Sequence, residues 1–282
     1  MTLLATTICI GLPTRNRPDL LRRALSSISS QTRAPDEVLI GDNSDNSETL
    51  DVYLEWRDIL PNLRYFRRER DVGPTSNFLQ LLQDSTATHF MWLADDDVMQ
   101  PRLLEAAYDF LGLYPNVKYL CWGFSVHNYV TGSTEHPSAL PPISHERGFY
   151  ANACLYLTQP ISSLFYGLYE RRALMNSSLS LWHQKNVSFD WMDVACIMST
   201  LLCCRSHLIP ERLVVFGIDQ PTRSIKCAGG LSAKRYDPLP WLWHGVVLIL
   251  TASRLTFLER LKLMPKFLYA WRNTTSFAIN HS

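Results

Sequence analysis

The sequence predicts an α/β protein: a doubly wound, mostly parallel sheet flanked by helices, with a helical C-terminal tail. Three observations predict it. Short β-rich apolar runs alternate with stretches of helical periodicity over the first half of the chain, the β-α-β-α order that parallel sheets require. The first run, "TTICIGL" from Thr6 to Leu12, is almost continuously apolar, as a strand covered on both faces is. Turn-forming polar residues follow each run, where connections to helices belong.

The elements follow in order. After the first strand, "PTRNRP" is a loop, and Pro18 opens a helix at its first position. Leu21, Ala24, Leu25 and Ile28 give that helix its apolar stripe. "EVLIGDNSDNS" is a second short strand ending in a turn-rich loop. Glu48 to Leu60 has a helical pattern, "LRYFR" is a third strand, and the glycine–proline loop "RDVGPTSN" leads into the apolar helix "FLQLLQ". "THFMWLADDDVMQP", from Thr88 to Pro101, is a fourth strand, followed by a helix to about Leu113 and a fifth strand, "VKYLCWGFSV". From about His127 to Arg147 the chain turns rich in Gly, Pro, Ser, Thr and His, which marks a junction between residues 1–126 and 127–233. Beyond it a helix near Ala151, a strand "SLFYGLYER", a helix beginning near Ser188 and a strand "LIPERLVVFGI" are expected.

Residues 234–282 form a last segment, with seven basic against two acidic residues and with Trp241, Trp243, Leu258, Leu261, Phe267 and Trp271 among its apolar side chains. Two readings fit: an amphipathic helix lying on a membrane surface, or a helical wrap over the domain. Bulk properties narrow the rest. The chain has 282 residues, is 46% hydrophobic and 19% charged, and carries a net charge of +1. That describes a globular protein with no global electrostatic case for nucleic acid. The seven cysteines show no CxxC pair and no zinc spacing. The N-terminus lacks a basic start and a cleavage site, and no apolar run approaches the ~20 residues of a membrane span. A cytoplasmic location is expected, with the tail offering peripheral contact at the inner membrane face. The sequons at Asn176, Asn186 and Asn273 are then accidental.

Ligands of open α/β sheets bind beyond the carboxyl ends of the strands. Here the first strand ends in Pro13, Thr14, Arg15 and Asn16, and the second in Asp42, Asn43 and Ser44. The loop after the third holds Asp71, Gly73, Pro74 and Asn77, and the fourth runs into Asp95, Asp96 and Asp97. Four strand ends thus converge on one crevice. Adjacent buried carboxylates repel and demand a counter-charge. Side chains alternate along a strand, so the three aspartates divide their tasks: one to bind a sugar hydroxyl, another to hold a hard cation such as Mg²⁺ or Mn²⁺. The competing reading is a charged turn at the N-terminus of the next helix.

"TTICIGLPTRNRPDLLRRALSSISSQTRAPDEVLIGDNSDNSET" resembles the opening of family 2 glycosyltransferases of the GT-A fold, a Rossmann-like architecture, and "DVGPTSNFLQLLQ…HFMWLADDDVMQPRLL" resembles its continuation into the DxD motif. The resemblance covers about the first 125 residues. It implies inverting transfer of a sugar from a nucleotide-sugar, a UDP-sugar first, helped by a divalent metal (Mn²⁺ or Mg²⁺). Carried over, Pro13, Thr14 and Arg15 line the nucleoside pocket with Asn16, Asn43, Gly73 and Asn77 around it. Asp42 reads the base, Asp95 contacts the ribose, and Asp96 ligates the metal with Asp97 beside it. Ala94 stands where many members carry Asp.

Inverting transfer needs a base to take the acceptor hydroxyl proton. In "VSFDWMDVACIMSTLLCC" the stripe Val194, Ile197, Met198 and Leu201 faces inward. Asp190 lies four residues before Val194 and Asp193 at the edge of the stripe, so both are candidates, Asp190 first. Asp190 as an ordinary helix cap is the competing reading. "KCAGGLS", with Gly229, Gly230, Lys226, Lys234 and Arg235 in or near it, is either a lid over the diphosphate or a solvated loop. His207 and His244 are weaker metal candidates. Trp122, Phe149, Tyr150, Tyr166, Trp182 and Trp191 are divided between core and sugar stacking. The expected partners are a nucleotide-sugar donor and a saccharide or lipid-linked acceptor, in cell-surface polysaccharide or glycolipid assembly. A catalytically silent sugar-nucleotide-binding module is the alternative. A sugar-phosphate nucleotidyltransferase fits less well, because "GLPTRNRP" is not a glycine-rich phosphate loop.

Overall fold

Side chains alternate across a strand, and in the first strand that alternation assigns the two layers. In β1 (Ile8–Thr14), Ile8, Ile10 and Leu12 join one buried cluster while Cys9 joins the other. The computed structural model describes residues 5–137, 139–176, 192–219 and 239–279. After β1 come α1 (Pro18–Ser29), β2 (Glu37–Asp42), α2 (Glu48–Trp56), β3 (Leu63–Arg67), α3 (Gly73–Asp84) and β4 (His89–Trp92). Then follow β5 (Val98–Met99), α4 (Leu103–Leu113), β6 (Tyr119–Asn128), β7 (Thr134–Glu135), α5 (Phe149–Thr158), a 3-10 turn over Ser162–Tyr166, β8 (Leu168–Glu170) and α6 (Arg171–Met175). The last elements are α7 (Met192–Cys203), β9 (Ser206–Ile218), α8 (Leu239–Thr251) and α9 (Phe257–Ile279).

The sheet order is β3-β2-β1-β4-β8-β6-β9-β5, with β7 paired to β6. The β3-β2-β1-β4 half is wholly parallel, as the βαβ alternation predicts, and β6 runs parallel to β9 in the longest ladder. The two blocks are joined by β8, which is antiparallel to both β4 and β6. The fifth predicted strand therefore does not neighbour the fourth. β5 returns antiparallel to β9, which brings the end of β9 beside the chain that leaves β4.

One layer packs α1, α2 and α4 on the sheet, with Leu21, Ala24, Leu25 and Ile28 buried as the α1 stripe predicts. The other packs α3, α5, the 3-10 turn and α7. There Trp92 donates its indole N–H to the Phe78 carbonyl (2.9 Å) and stacks on Phe165 with ring centroids 4.7 Å apart. The predicted strand "SLFYGLYER" is only partly a strand. Its first part winds into the 3-10 turn because Leu164 and Phe165 bury into this layer, and Leu168–Glu170 alone joins the sheet.

The C-terminal helices close over the same layer: Ile249, Leu263, Phe267 and Ala270 are buried with residues of α5 and α7. A Cβ at Gly245 of α8 would overlap the Phe267 ring, so glycine is what lets α8 and α9 approach so closely.

Candidate functional site

The three aspartates are not on the strand. Leu93 and Ala94 follow the last ladder residue, Trp92, and Asp95 and Asp96 lie in a turn closed by the Asp97 amide donating to the Ala94 carbonyl (3.1 Å). Strand alternation therefore does not govern them, and all three are buried: Asp95 is 4%, Asp96 9% and Asp97 4% exposed. Each meets a different element. The Thr14 hydroxyl, at the end of β1, donates to one oxygen of Asp95 (2.8 Å). The Arg17 guanidinium, just before α1, donates to the other (3.0 Å) and lies 3.4 Å from an oxygen of Asp96. Asp97 accepts from the Gly217 amide at the end of β9 (3.1 Å).

Arg23 of α1 supports the turn from behind. It donates to the Asp96 carbonyl (2.8 Å), makes a two-pronged pair with Asp219 (2.9 Å each), and lies 3.8 Å from the centre of the Tyr129 ring. A Cβ at Gly217 would overlap the Asp96 carbonyl oxygen, so only glycine lets β9 approach the turn this closely. Burial pushes the Asp95 carboxyl above its ordinary pKa; Asp96 adds to the rise while Arg17 and Thr14 oppose it. Burial also pushes Asp97 well up, with the charges of Asp96 and Asp95 in the same direction and the Gly217 amide and Arg23 against it.

The tips of β1 and β2 lie side by side, with Thr14 opposite Asp42 in the ladder. Asp42 is fully buried. One oxygen takes the Tyr65 hydroxyl (2.5 Å) and Arg67 (2.7 Å), and the other takes the Ser44 amide (2.8 Å). Burial disfavours its charge, yet the hydrogen bonds of Ser44, Tyr65 and Arg67 prevail and hold its carboxyl below the ordinary value. Asn16 takes a positive φ of 54° while its amide donates to Ser44 (2.8 Å), turning the chain out of β1. Arg15 pairs with Asp71 at 2.7 Å, both half exposed at the rim. Asp71 in turn accepts from the Asn43 side chain (2.5 Å) and the Gly73 amide (2.9 Å), where Gly73 starts α3 at a φ of +75°. Pro13 lies within β1 and is buried. The amide of Asn77 is used inside the protein: it donates to the Gly41 carbonyl (2.8 Å) and accepts from Arg68 (3.0 Å), anchoring α3 beneath β2.

From the other half, α7 brings Asp193 in its first turn. Tyr166, at the end of the 3-10 turn, joins the two halves. Its ring rests on Phe216, 5.7 Å between centroids, one residue before the glycine that binds Asp97. Its hydroxyl is held well above the ordinary pKa, first by burial and then by the charges of Asp97, Asp96, Asp193 and Asp95. Asp190, Trp182, Trp191 and the "KCAGGLS" segment lie outside the described residues. Of the other aromatic candidates, Trp122 is buried in the layer of α1, α2 and α4, and Phe149 and Tyr150 pack against the core of the opposite layer.

Sequence patterning alone does not mark Arg17, Arg23, Tyr65, Arg67, Gly217 and Asp219 as site residues. Arg17 stands in the loop "PTRNRP" itself, and "FGID" ends β9 with a glycine and an acid two residues later, so that glycine and an acid follow an apolar run there as they do in "IGDN" at the end of β2. His207 pairs with His145 instead, 3.1 Å between Nδ1 atoms, near the start of β9.

Among the described residues no group of three His, Cys, Asp or Glu converges as a ready metal cage. The aspartates are shared out among Thr14, Arg17 and Gly217 instead. Their hard oxygen donors fit the other common arrangement, in which one or two carboxylates hold Mg²⁺ or Mn²⁺ and the substrate's phosphates supply further ligands. A cation there would offset the burial that raises Asp95 and Asp97 and the repulsion of the neighbouring carboxylates that adds to it.

Three comparisons bear on this site. The sequence model described as "Glycosyl transferase family 2" matches residues 9–177. An uncharacterized glycosyltransferase of Rickettsia conorii is 29% identical over 120 residues, 42% of this chain and 19% of that protein. One of Rickettsia felis is 30% identical over 118 residues, 41% of this chain and again 19% of its relative. The chain therefore spans about a fifth of the length of these curated relatives. Among solved structures, S. aureus TarS 1–349 superposes with a TM-score of 0.66 at 16% identity, covering 94% of this chain and 71% of that one. The same fragment in complex with UDP-GlcNAc gives 0.69 at 15% identity, covering 94% and 72%. These likenesses show the GT-A fold.

Proposed function

The chain belongs to glycosyl transferase family 2, and from that premise we propose that it moves a sugar from a nucleotide-sugar, a UDP-sugar first, to a hydroxyl acceptor with inversion. One observation supports the reading: the tips of β1, β2 and β9 and the aspartate turn meet at a single edge of the sheet, where open α/β folds bind ligands. The TarS fragment in complex with UDP-GlcNAc supports a uridine nucleotide as the donor class.

In this reading Asp42, kept ionised by Tyr65, Arg67 and Ser44, lies at the base end of the donor site, with Pro13, Thr14, Arg15, Asn16 and Asn43 around the nucleoside. Asn77 and Gly73 hold the wall behind it. Asp95, fixed by Thr14, contacts the ribose. Asp96, with Asp97 beside it, would hold Mn²⁺ or Mg²⁺, which when bound offsets the charge of the leaving diphosphate. The acceptor hydroxyl attacks the anomeric carbon, the bond to the diphosphate breaks, and the hydroxyl proton passes to a carboxylate at the start of α7, Asp190 or Asp193. Residues 1–126 serve the donor and 127–233 the acceptor, a saccharide or lipid-linked hydroxyl in cell-surface polysaccharide or glycolipid assembly on the cytoplasmic side.

The test is UDP release from a panel of UDP-sugars with Mn²⁺, for the chain itself and for Asp190→Asn and Asp193→Asn. Removal of the base lowers turnover at least ~100-fold while UDP still binds. Full turnover in one variant removes that residue from the mechanism. One observation favours a second reading. Arg17 already neutralises Asp95 and Asp96 from within the protein, as a silent binding module would require. Tight UDP binding with no release or transfer from any donor would decide for it.

A further inference from the structure

Among the described residues, helix α9 has two apolar faces and buries one of them. Leu263, Phe267 and Ala270 lie along the side buried against the domain. By helical spacing, Leu258, Leu261, Pro265 and Leu268 fall on the opposite side. There Leu258 is 57%, Leu261 52% and Leu268 41% exposed, with Phe257 at 74% and Tyr269 at 69% on its margins. Seven of the fourteen exposed large apolar side chains among the described residues lie between Val247 and Tyr269. A surface helix of a water-soluble domain ordinarily turns charge outward, and apolar exposure concentrated in this way marks an interaction surface.

The charges around the stripe identify the partner. Lys262 and Lys266 are exposed along one flank, and Arg254 is exposed in the turn between α8 and α9. The nearby acid, Glu259, is occupied at the helix start, accepting from the Thr256 amide (2.8 Å) and hydroxyl (2.9 Å). Arg260 is turned back onto the Leu250 and Ala252 carbonyls (2.9 Å each), so it caps α8. What faces outward is apolar with a basic border and an aromatic edge, the composition of a helix seated in a lipid interface. A protein partner of matched shape does not need the lysines. No described helix is long and apolar enough to cross a bilayer.

We infer that the outer face of α9 is a docking surface for an anionic lipid bilayer, lying in the headgroup layer with Leu258, Leu261 and Leu268 inserted and Lys262 and Lys266 at the phosphates. α9 packs on α5, and α8 on α7, whose first turn carries Asp193. Docking therefore engages the acceptor half of the molecule, which suits an acceptor that is itself held in lipid. The docking claim does not depend on the transfer reaction.

The experiment is co-sedimentation of the whole chain with vesicles of phosphatidylcholine alone and of phosphatidylcholine with phosphatidylglycerol. The chain is expected to pellet with the anionic vesicles and to be released as salt rises. Lys262→Gln with Lys266→Gln is expected to lower binding roughly tenfold or more, and Leu261→Gln with Leu268→Gln by a similar factor. UDP affinity and thermal midpoint, measured on the same samples, show that the variants remain folded. The inference fails if the chain stays in the supernatant with both vesicle types, or pellets equally with both. It fails equally if either double variant binds as well as the parent chain. A chain that instead forms dimers in sedimentation equilibrium, dispersed by the leucine variant and indifferent to vesicles, would give this face to a second copy.

Discussion

At the scale of single residues the site rests on charge and on close approach. Arg17 is the counter-charge that the buried aspartates demand. Arg17→Gln is expected to destabilise the metal-free protein by ~1–3 kcal/mol, less than a fully buried pair because the arginine is about one third exposed. Mn²⁺ should then raise the thermal midpoint of this variant more than that of the parent chain, because a cation takes over the arginine's place. Equal shifts in scanning calorimetry would mean that Arg17 and the metal do not share those oxygens. Gly217→Ala forces a methyl into the Asp96 carbonyl, and overpacking of that kind costs ~1–3 kcal/mol. The turn it displaces carries the proposed metal and ribose contacts, so UDP release is expected to fall by ~100-fold with only a modest drop in midpoint. The acids themselves were legible in the sequence, because charge at the end of an apolar run is a local signal. Their partners were not. Asp42 lies opposite Arg67 only once β2 and β3 are paired in register, and register between two strands is not written in either strand alone.

At the scale of elements, β1 to β4, β6 and the helices between them are legible in the sequence, since each βαβ step repeats the same local pattern, whereas the two-residue β5 is hidden in the stretch that reads as the fourth strand. Two misreadings have physical causes. The aspartates looked like the end of a strand, yet Leu93 and Ala94 leave the ladder before them. "SLFYGLYER" looked like a strand because a short apolar run has no decisive period, and burial of Leu164 and Phe165 against Trp92 and its neighbours selected a 3-10 turn. β4 also carries a pH dependence. Burial lowers the imidazole of His89, its first residue, from the ordinary 6.5 to about 4, against a smaller opposing pull from Glu170. The unfolded chain binds this proton more readily than the fold does, so stability is full above pH 6.5 and falls as pH drops from there through about 4. Urea unfolding at pH 7 and pH 5 should show a loss on the order of 1–2 kcal/mol from this group, and His89→Gln should reduce it. An unchanged pH slope in the variant would assign the loss elsewhere.

At the scale of the whole molecule, donor binding should report on the fold as a unit. UDP at about one hundred times its dissociation constant, with Mn²⁺, adds ~2.7 kcal/mol, which in a chain of this size raises the melting midpoint by ~5 °C. A shift of the same size in Asp96→Asn, or with a chelator present, would argue against a cation in that complex. The long parallel ladder between β6 and β9 has a consequence for biosynthesis. The family's match ends at residue 177, yet Asp97 finds its amide at Gly217 and Arg23 its carboxylate at Asp219. A ribosome that has delivered every residue of the family match has not yet supplied the strand that braces the acidic turn. A nascent chain stalled before β9 emerges should carry the acidic turn without its bracing and bind nucleotide poorly until the later residues arrive.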